Sequence, residues 1–238
     1  MRQRLDSLEF RESQHYARER YIFVKLFLDK LKNDTTTLEK QQAEYIVFEG
    51  ISGAGKSSQA KLLHEYLAAR NIPVFMIHEP SMLYADLKKQ LRSHTLDSRA
   101  KLLLFLLDRY IRVSPAIQEA LAAGKLAIGD RSYVSTLVYQ AGAQWLSPAN
   151  IAYIHSIVAQ PSRILILDID PEIAHARLVD RTKKDGIAPG EHETLEQLRV
   201  HRERFKSISD LFPQAIVLSV DNLDETEIHY KVKKILEL

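Results

Sequence analysis

An α/β architecture, one parallel sheet covered by helices on both faces, is what the sequence predicts, and three observations predict it. From residue 45 onward, short runs rich in β-branched and aromatic residues alternate with longer stretches of helical periodicity. The first run, Tyr45-Ile46-Val47-Phe48, opens directly into Glu49-Gly50-Ile51-Ser52-Gly53-Ala54-Gly55-Lys56-Ser57-Ser58, which fits G-x-x-x-x-G-K-[ST] without a substitution. The 238 residues suffice for one such domain with an appendage.

The expected strands are residues 45–48, Val74-Phe75-Met76-Ile77, Leu126-Ala127-Ile128-Gly129, Ile164-Leu165-Ile166-Leu167 and Ile216-Val217-Leu218-Ser219. With the glycine-rich loop they give a three-layer P-loop NTPase fold on a five-stranded parallel sheet. After the loop, Gln59 to Arg70 reads as an amphipathic helix with Ala60, Leu63 and Leu67 on one face. Leu102 to Tyr110 reads as a second helix by length and composition. Residues Arg2 to Lys32 also read as helical: Tyr21, Val24, Leu28 and Leu31 form a stripe that Phe23 and Phe27 widen. Asn33-Asp34-Thr35-Thr36-Thr37 is a turn-rich break, so residues 1–44 are expected as an N-terminal helical extension to a main domain at 45–238. Its stripe can pack on the body, form a dimer contact or belong to a preceding domain.

Bulk properties exclude several classes. Net charge is +2, from 33 basic and 31 acidic residues, too even for polymeric nucleic acid or a membrane surface as the main partner. No cysteine is present, which excludes disulfides, thiolate metal sites and a cysteine nucleophile. Arg2, Arg4, Arg11, Arg18 and Arg20 interrupt the first residues, no secretory signal is visible, and a cytoplasmic protein is expected. No stretch approaches the roughly 18 unbroken apolar residues of a membrane span.

The chemistry begins at the loop. Glycines at 50, 53 and 55 let the backbone turn its N–H groups toward one point, where they and the positive end of the next helix hold polyphosphate oxygens. Ser52, Ala54 and Ser58 share that cradle, Lys56 reaches the β and γ phosphates, and the Ser57 hydroxyl belongs on Mg²⁺. In such sheets ligands gather at the carboxyl ends of the strands, which singles out His78-Glu79-Pro80, Asp130-Arg131, Asp168 to Asp170 and Asp221-Asn222. Asp130 can hold Mg²⁺ directly or through water while Arg131 clamps a phosphoryl oxygen; a surface ion pair is the plainer reading. Phe105 and Arg109 are four apart and share a helical face, able to stack a base and hold a phosphate, or to be a core ring with a solvated neighbour.

Taken in order, these motifs resemble the thymidylate kinase family. The likeness runs over residues 45–238: Phe48-Glu49-Gly50 through Gln59; Ser98 to Arg109 with its Phe-x-x-x-Arg ending; Ala120 to Gln140; and Leu167-Asp168-Ile169-Asp170-Pro171-Glu172 with Arg177 and Arg181. The resemblance implies ATP as phosphoryl donor with Mg²⁺, and a deoxynucleoside monophosphate, dTMP first, as acceptor. It implies Phe105 stacked on the base, Arg109 on base or phosphate, Gln140 near the base, and Ser135 and Glu79 in the acceptor site. Tyr139 would crowd the sugar 2′ position and Arg131 would bridge the acceptor phosphate and the transferred group. Because Ser52 and Gly53 leave the P-loop without a catalytic cation, a lid at about 182–192 has to supply one. Arg181 is the chosen lid arginine, Arg177 a nucleotide contact, and Lys183 and Lys184 the other basic residues beside it; a solvated charge run is the alternative. The resemblance also allows a homodimer.

Departures bear on the acceptor. His78-Glu79-Pro80-Ser81-Met82-Leu83 stands where the family commonly has Arg-Glu-Pro-Gly-Gly-Thr, Ser132 replaces an aromatic, Val138 replaces alanine and Ser58 replaces threonine. Two rivals follow: a deoxynucleoside kinase, with Glu79 as general base on a 5′-hydroxyl, and a nucleotide-binding module that has lost turnover.

Overall fold

The computed structural model describes residues 44–90, 96–140, 147–186 and 192–238. The helix expected over Arg2 to Lys32, the break after it and the middle of the expected lid lie outside the described residues. Five strands form one parallel sheet in the order β2-β3-β1-β4-β5: β1 Tyr45–Glu49, β2 Val74–His78, β3 Leu126–Asp130, β4 Arg163–Asp168 and β5 Ala215–Ser219. β1 is buried along its length between β3 and β4, as a continuous apolar run in a sheet covered on both faces should be. Each strand reaches one or two residues beyond its apolar run. Parallel pairing is made by backbone, so polar Glu49, His78, Asp130 and Asp168 continue the ladder, with Phe48 and His78 both in register with Asp130.

Among the described residues the helices are α1 Lys56–Ala68, α2 Met82–Gln90, α3 Ser98–Asp108, α4 Ser114–Ala122, α5 Tyr133–Gln140, α6 Pro148–Ile154, α7 Pro171–Asp185, α8 Leu195–Ser209 and α9 Glu225–Leu236. α1 starts at Lys56, three residues before the expected Gln59, because the loop feeds its lysine straight into the first turn; Ala60, Leu63 and Leu67 are fully buried as anticipated. The helix expected through Tyr110 instead changes winding at Arg109: residues Arg109–Val113 form a π-helical turn before α4. Such a turn re-aims its side chains relative to an α-helix and recurs at functional sites. α7 runs on to Asp185, so the first four residues of the expected lid are its last turn, closed by Gly186 at φ 68°. Asp170, Thr194 and Asp224 cap α7, α8 and α9 with side-chain oxygens. The core joins β1, β3 and β4 to α1, α5, α7, α8 and α9 through residues such as Phe48, Leu63, Ile128, Leu137, Leu165, Leu178, Phe205 and Val232. No helix of the described residues is long and apolar enough to cross a membrane.

Candidate active site

The phosphate loop sits where β1 ends, and its glycines are dictated by close approach. Gly50 has φ 132° and a Cβ there would stand 2.5 Å from the Leu167 carbonyl oxygen; Gly53 has φ 86° and a Cβ would stand 2.6 Å from the Ala174 carbonyl of α7. The loop is thereby pressed between β4 and α7. Lys56, only 5% exposed, donates through Nζ to the Ile51 carbonyl at 2.8 Å, which draws the ammonium back over the loop. Burial first, and the neighbouring Arg131 charge next, bring its pKa down to about 7. Ser57 and Ser58 remain exposed at the start of α1. Arg177 of α7 reaches across the loop and donates to the Gly53 carbonyl at 3.3 Å.

Asp130 ends β3 beside this loop. Its Oδ2 accepts from His78 Nδ1 at 2.9 Å while Oδ1 is buried with no hydrogen-bond partner among the described residues. Burial pushes the carboxyl up, but the His78 bond, the nearby Ser57 hydroxyl and the His78 and Lys56 charges outweigh it and hold the pKa below the usual carboxylate range. Ser57 steadies that charge from a position that makes no well-formed bond to Oδ1. A buried ionised oxygen left open next to a serine hydroxyl fits a hard divalent cation that keeps most of its ligands from water and phosphate.

Arg131 follows with φ 77°, a left-handed conformation rare for a side chain with a Cβ. Its N–H donates to the Phe48 carbonyl at 3.1 Å and its Nη1 to the Tyr139 hydroxyl at 3.3 Å. Both arginine and tyrosine line a cavity of about 410 Å³ that Ser52 closes on the loop side, with Glu79, Pro80, Tyr84, Phe105, Ser135, Gln140, His192 and Glu193 also on its wall. Tyr139 is set by packing, edge-on to His201 at 4.7 Å and against His192 at 5.3 Å.

The remaining acceptor-side residues arrive differently from their expected arrangement. Arg109 lines the cavity, yet it is 3% exposed and most of its donors are taken: Nε by Glu79 Oε2 at 2.6 Å, Nη1 by Thr136 Oγ1 and His155 Nε2, and one N–H of Nη2 by the Ser132 carbonyl. Nδ1–H of His155 donates to the Ile151 carbonyl, so Nε2 is the acceptor, and burial with the Arg109 charge brings that imidazole down to about 3. The Glu79 carboxyl is raised by burial against the opposing Arg109 charge. The Ser135 hydroxyl points to Glu49 Oε2 at 2.7 Å. Phe105 carries the Tyr84 ring stacked on it, 4.4 Å between centroids and 14° from parallel, and Arg109 Cζ lies 5.4 Å from its centroid. Gln140 is buried at the end of α5. Arg181 is exposed and paired through Nη2 with both oxygens of Glu193, at 3.1 and 3.2 Å.

Asp168, Asp170 and Asp221, singled out at the strand ends, instead gather around Arg202 of α8, whose Nε is 2.6 Å from Asp168. Sequence reasoning passed over Glu49, Tyr84, Thr136, His155, His192 and Glu193. For Glu49 a signal existed, a carboxylate ending an otherwise apolar buried strand; the others are brought in by tertiary contact alone.

A phosphate-loop cradle and an adjoining half-open pocket, with one arginine at their border, are the layout of a P-loop phosphotransferase. The sequence model described as Thymidylate kinase matches residues 48–232. A thymidylate kinase of Desulfotalea psychrophila is 32% identical over 212 residues, 84% of this chain and the whole of that protein. Among solved structures, thymidylate kinase from Ehrlichia chaffeensis is 26% identical with a TM-score of 0.63 over 83% of this chain and all of that one. The thymidylate kinase of Candida albicans, at 23% identity and TM-score 0.65 over 82% of this chain and 91% of that one, shares the fold. The chain belongs to the thymidylate kinase family.

Proposed function

We propose that the protein transfers the γ-phosphoryl group of ATP to thymidylate, giving thymidine diphosphate and ADP. The observation that carries this reading is the single cavity reached from both sides, by Ser52 of the phosphate loop and by the aromatic and polar wall of Phe105, Tyr139 and Gln140, with Arg131 at the border. In it an oxygen of the acceptor phosphate attacks the γ-phosphorus, a new P–O bond forms, the bond to the β-phosphate bridging oxygen breaks and ADP leaves. That oxygen is already ionised at neutral pH, so positioning and charge neutralisation suffice. The loop N–H groups, Lys56 and Arg177 hold the ATP phosphates; Arg131 spans acceptor and transferred phosphoryl; Arg181, released from Glu193, supplies the second cation. Ser57 and Asp130 would hold Mg²⁺, which when bound neutralises charge on the β and γ phosphates. Phe105 stacks on thymine, Gln140 bonds near its edge and Tyr139 closes on the sugar 2′ position. Arg109 supports this wall and holds Glu79 through Oε2.

ATP and thymidylate are cytoplasmic pools, and we place the enzyme there. Two copies have a candidate pairing face in Leu103, Leu107, Tyr110 and Ile111, exposed along α3 and the π-helical turn. The deciding experiment offers ATP and Mg²⁺ with dTMP, dUMP or thymidine in turn and follows ADP. Release with dTMP and none with thymidine is expected; release with thymidine alone, or no release with any of the three while ATP still binds, overturns the assignment.

A further inference from the structure

Glu49 takes no place on the cavity wall, yet it has more polar partners than any ordinary strand residue requires. It is the last residue of β1, the residue before Gly50, and 0% exposed. Its Oε1 accepts from the Ser132 N–H at 2.7 Å, the Ser132 hydroxyl at 2.7 Å and the Ser135 N–H at 3.2 Å. Its Oε2 accepts from the Ser135 hydroxyl at 2.7 Å. The two N–H groups belong to the opening of α5, where unpaired amides and the positive end of the helix dipole favour an anion. α5 carries Ser135, Thr136, Tyr139 and Gln140, the acceptor wall.

Between β3 and α5 stands Arg131, a non-glycine residue at φ 77°. Left-handed backbone at such a residue persists only where its surroundings impose it. Here the turn is tied on both sides: the Arg131 N–H goes to the Phe48 carbonyl and the next N–H, of Ser132, goes to the Glu49 carboxylate. Both anchors lie at the end of β1, the strand that runs into the phosphate loop.

We propose that Glu49 is a positioning residue that fixes Arg131 and the start of α5 relative to the phosphate loop, so that the arginine meets donor and acceptor together. Ser132, in place of the aromatic residue common in the family, contributes one of the four bonds through its hydroxyl, which makes this anchor partly this chain's own. The role rests on the phosphotransferase reading above. A carboxylate that merely satisfied buried donors would affect folding and ATP binding and leave the chemical step to follow them; a positioning carboxylate separates the two.

The test measures kcat, with whichever acceptor releases ADP, and the dissociation constant of a non-hydrolysable ATP analogue, in the full chain. Failure of thymidylate as acceptor would then count against the function and not against Glu49. Glu49→Ala removes all four bonds, and kcat is expected to fall about 100-fold, the scale of an ångström-sized misplacement, while the analogue binds within about threefold of wild type. Glu49→Gln keeps Oε1 for three donors and lets the Ser135 hydroxyl accept from the new amide, so kcat is expected within about tenfold of wild type. Equal losses of analogue affinity and kcat in Glu49→Ala, a kcat within about threefold of wild type, or alanine and glutamine variants alike in kcat would each overturn the proposal. If Glu49→Ala does not fold, Ser132→Ala is the informative variant: kcat down about fivefold with analogue binding unchanged, and less than multiplicative loss when combined with Glu49→Gln. Independent, multiplicative losses there would also overturn it.

Discussion

Replacing Arg109 by methionine probes the buried pair on which the acceptor wall is built. The Arg109 and Glu79 side chains are both almost fully buried and 2.6 Å apart, and the same guanidinium serves Thr136, His155 and the Ser132 carbonyl. Methionine fills the stem and leaves the Glu79 carboxylate without its counter-charge. Breaking one partner out of a buried pair costs about 3–5 kcal/mol. With a urea slope of about 2–3 kcal/mol/M for a domain of this size, the unfolding midpoint should drop by about 1–2.5 M at pH 8. The loss should shrink toward acid. Burial already raises the Glu79 carboxyl, and Arg109 is the first of the charges holding it down. Without Arg109 the folded-state pKa rises further above the unfolded value, and stability linked to such a raised group is greatest at low pH and is lost as pH climbs through the folded value. As pH falls the carboxyl takes a proton and the deficit becomes that of lost hydrogen bonds, about 1–3 kcal/mol. Adding Glu79→Gln removes the stranded charge, so the double variant should be more stable at pH 8 than Arg109→Met alone. Equal midpoint losses at pH 5 and pH 8, together with additive single losses, would refute the claim that this pair is a mutually dependent structural unit.

Two further outcomes follow from the donor side. Gly53→Ala meets both a positive φ of 86° and the Ala174 carbonyl, which is backbone and cannot swing away; about 1–3 kcal/mol of strain in the loop should weaken ATP binding by about 5- to 150-fold in a fluorescent-analogue titration, and unchanged affinity would show that the loop is not pressed against α7. ATP binding should also take up protons near pH 8. Lys56 in the free protein is brought down to about 7 by burial and Arg131, polyphosphate restores its charge, and a lowered amine is neutral above its folded value, so affinity should fall as pH rises from 7 to 9. Calorimetry in buffers of different ionisation heat reads the proton count directly, and a count of zero at pH 8 would contradict the assignment of a neutral lysine.

The sheet and the phosphate loop were legible because they are local. Tyr45 to Phe48 is apolar in unbroken sequence, the glycine spacing is a pattern within nine residues, and Ala60, Leu63 and Leu67 mark α1 by periodicity. The strand ends were misjudged by one or two residues, since polar Glu49, His78 and Asp168 stay in the ladder through neighbours far along the chain. The π-helical turn at Arg109 had no signature in Arg-Tyr-Ile-Arg-Val, a string with ordinary helical composition. Its partners Glu79, Thr136 and His155 are 30, 27 and 46 residues away, and only the fold could show that the arginine of Phe-x-x-x-Arg spends most of its donors on the protein.

Ser132 is where those distant contacts converge. Its N–H and hydroxyl go to Glu49 at the end of β1, and its carbonyl accepts from Arg109 on the π-helical turn. Two buried carboxylates therefore act on one residue, Glu49 directly and Glu79 through Arg109, and that residue is the neighbour of Arg131. The backbone between them has little freedom, because the Arg131 N–H is also held by Phe48. A disturbance on the acceptor side, such as loss of Glu79 or Arg109, should therefore reach the border arginine through the Ser132 carbonyl, and a disturbance at β1 should reach it through the Ser132 N–H. An aromatic side chain at 132 could keep both backbone bonds but not the hydroxyl bond to Glu49. The serine thus strengthens the tie to the strand that leads into the phosphate loop.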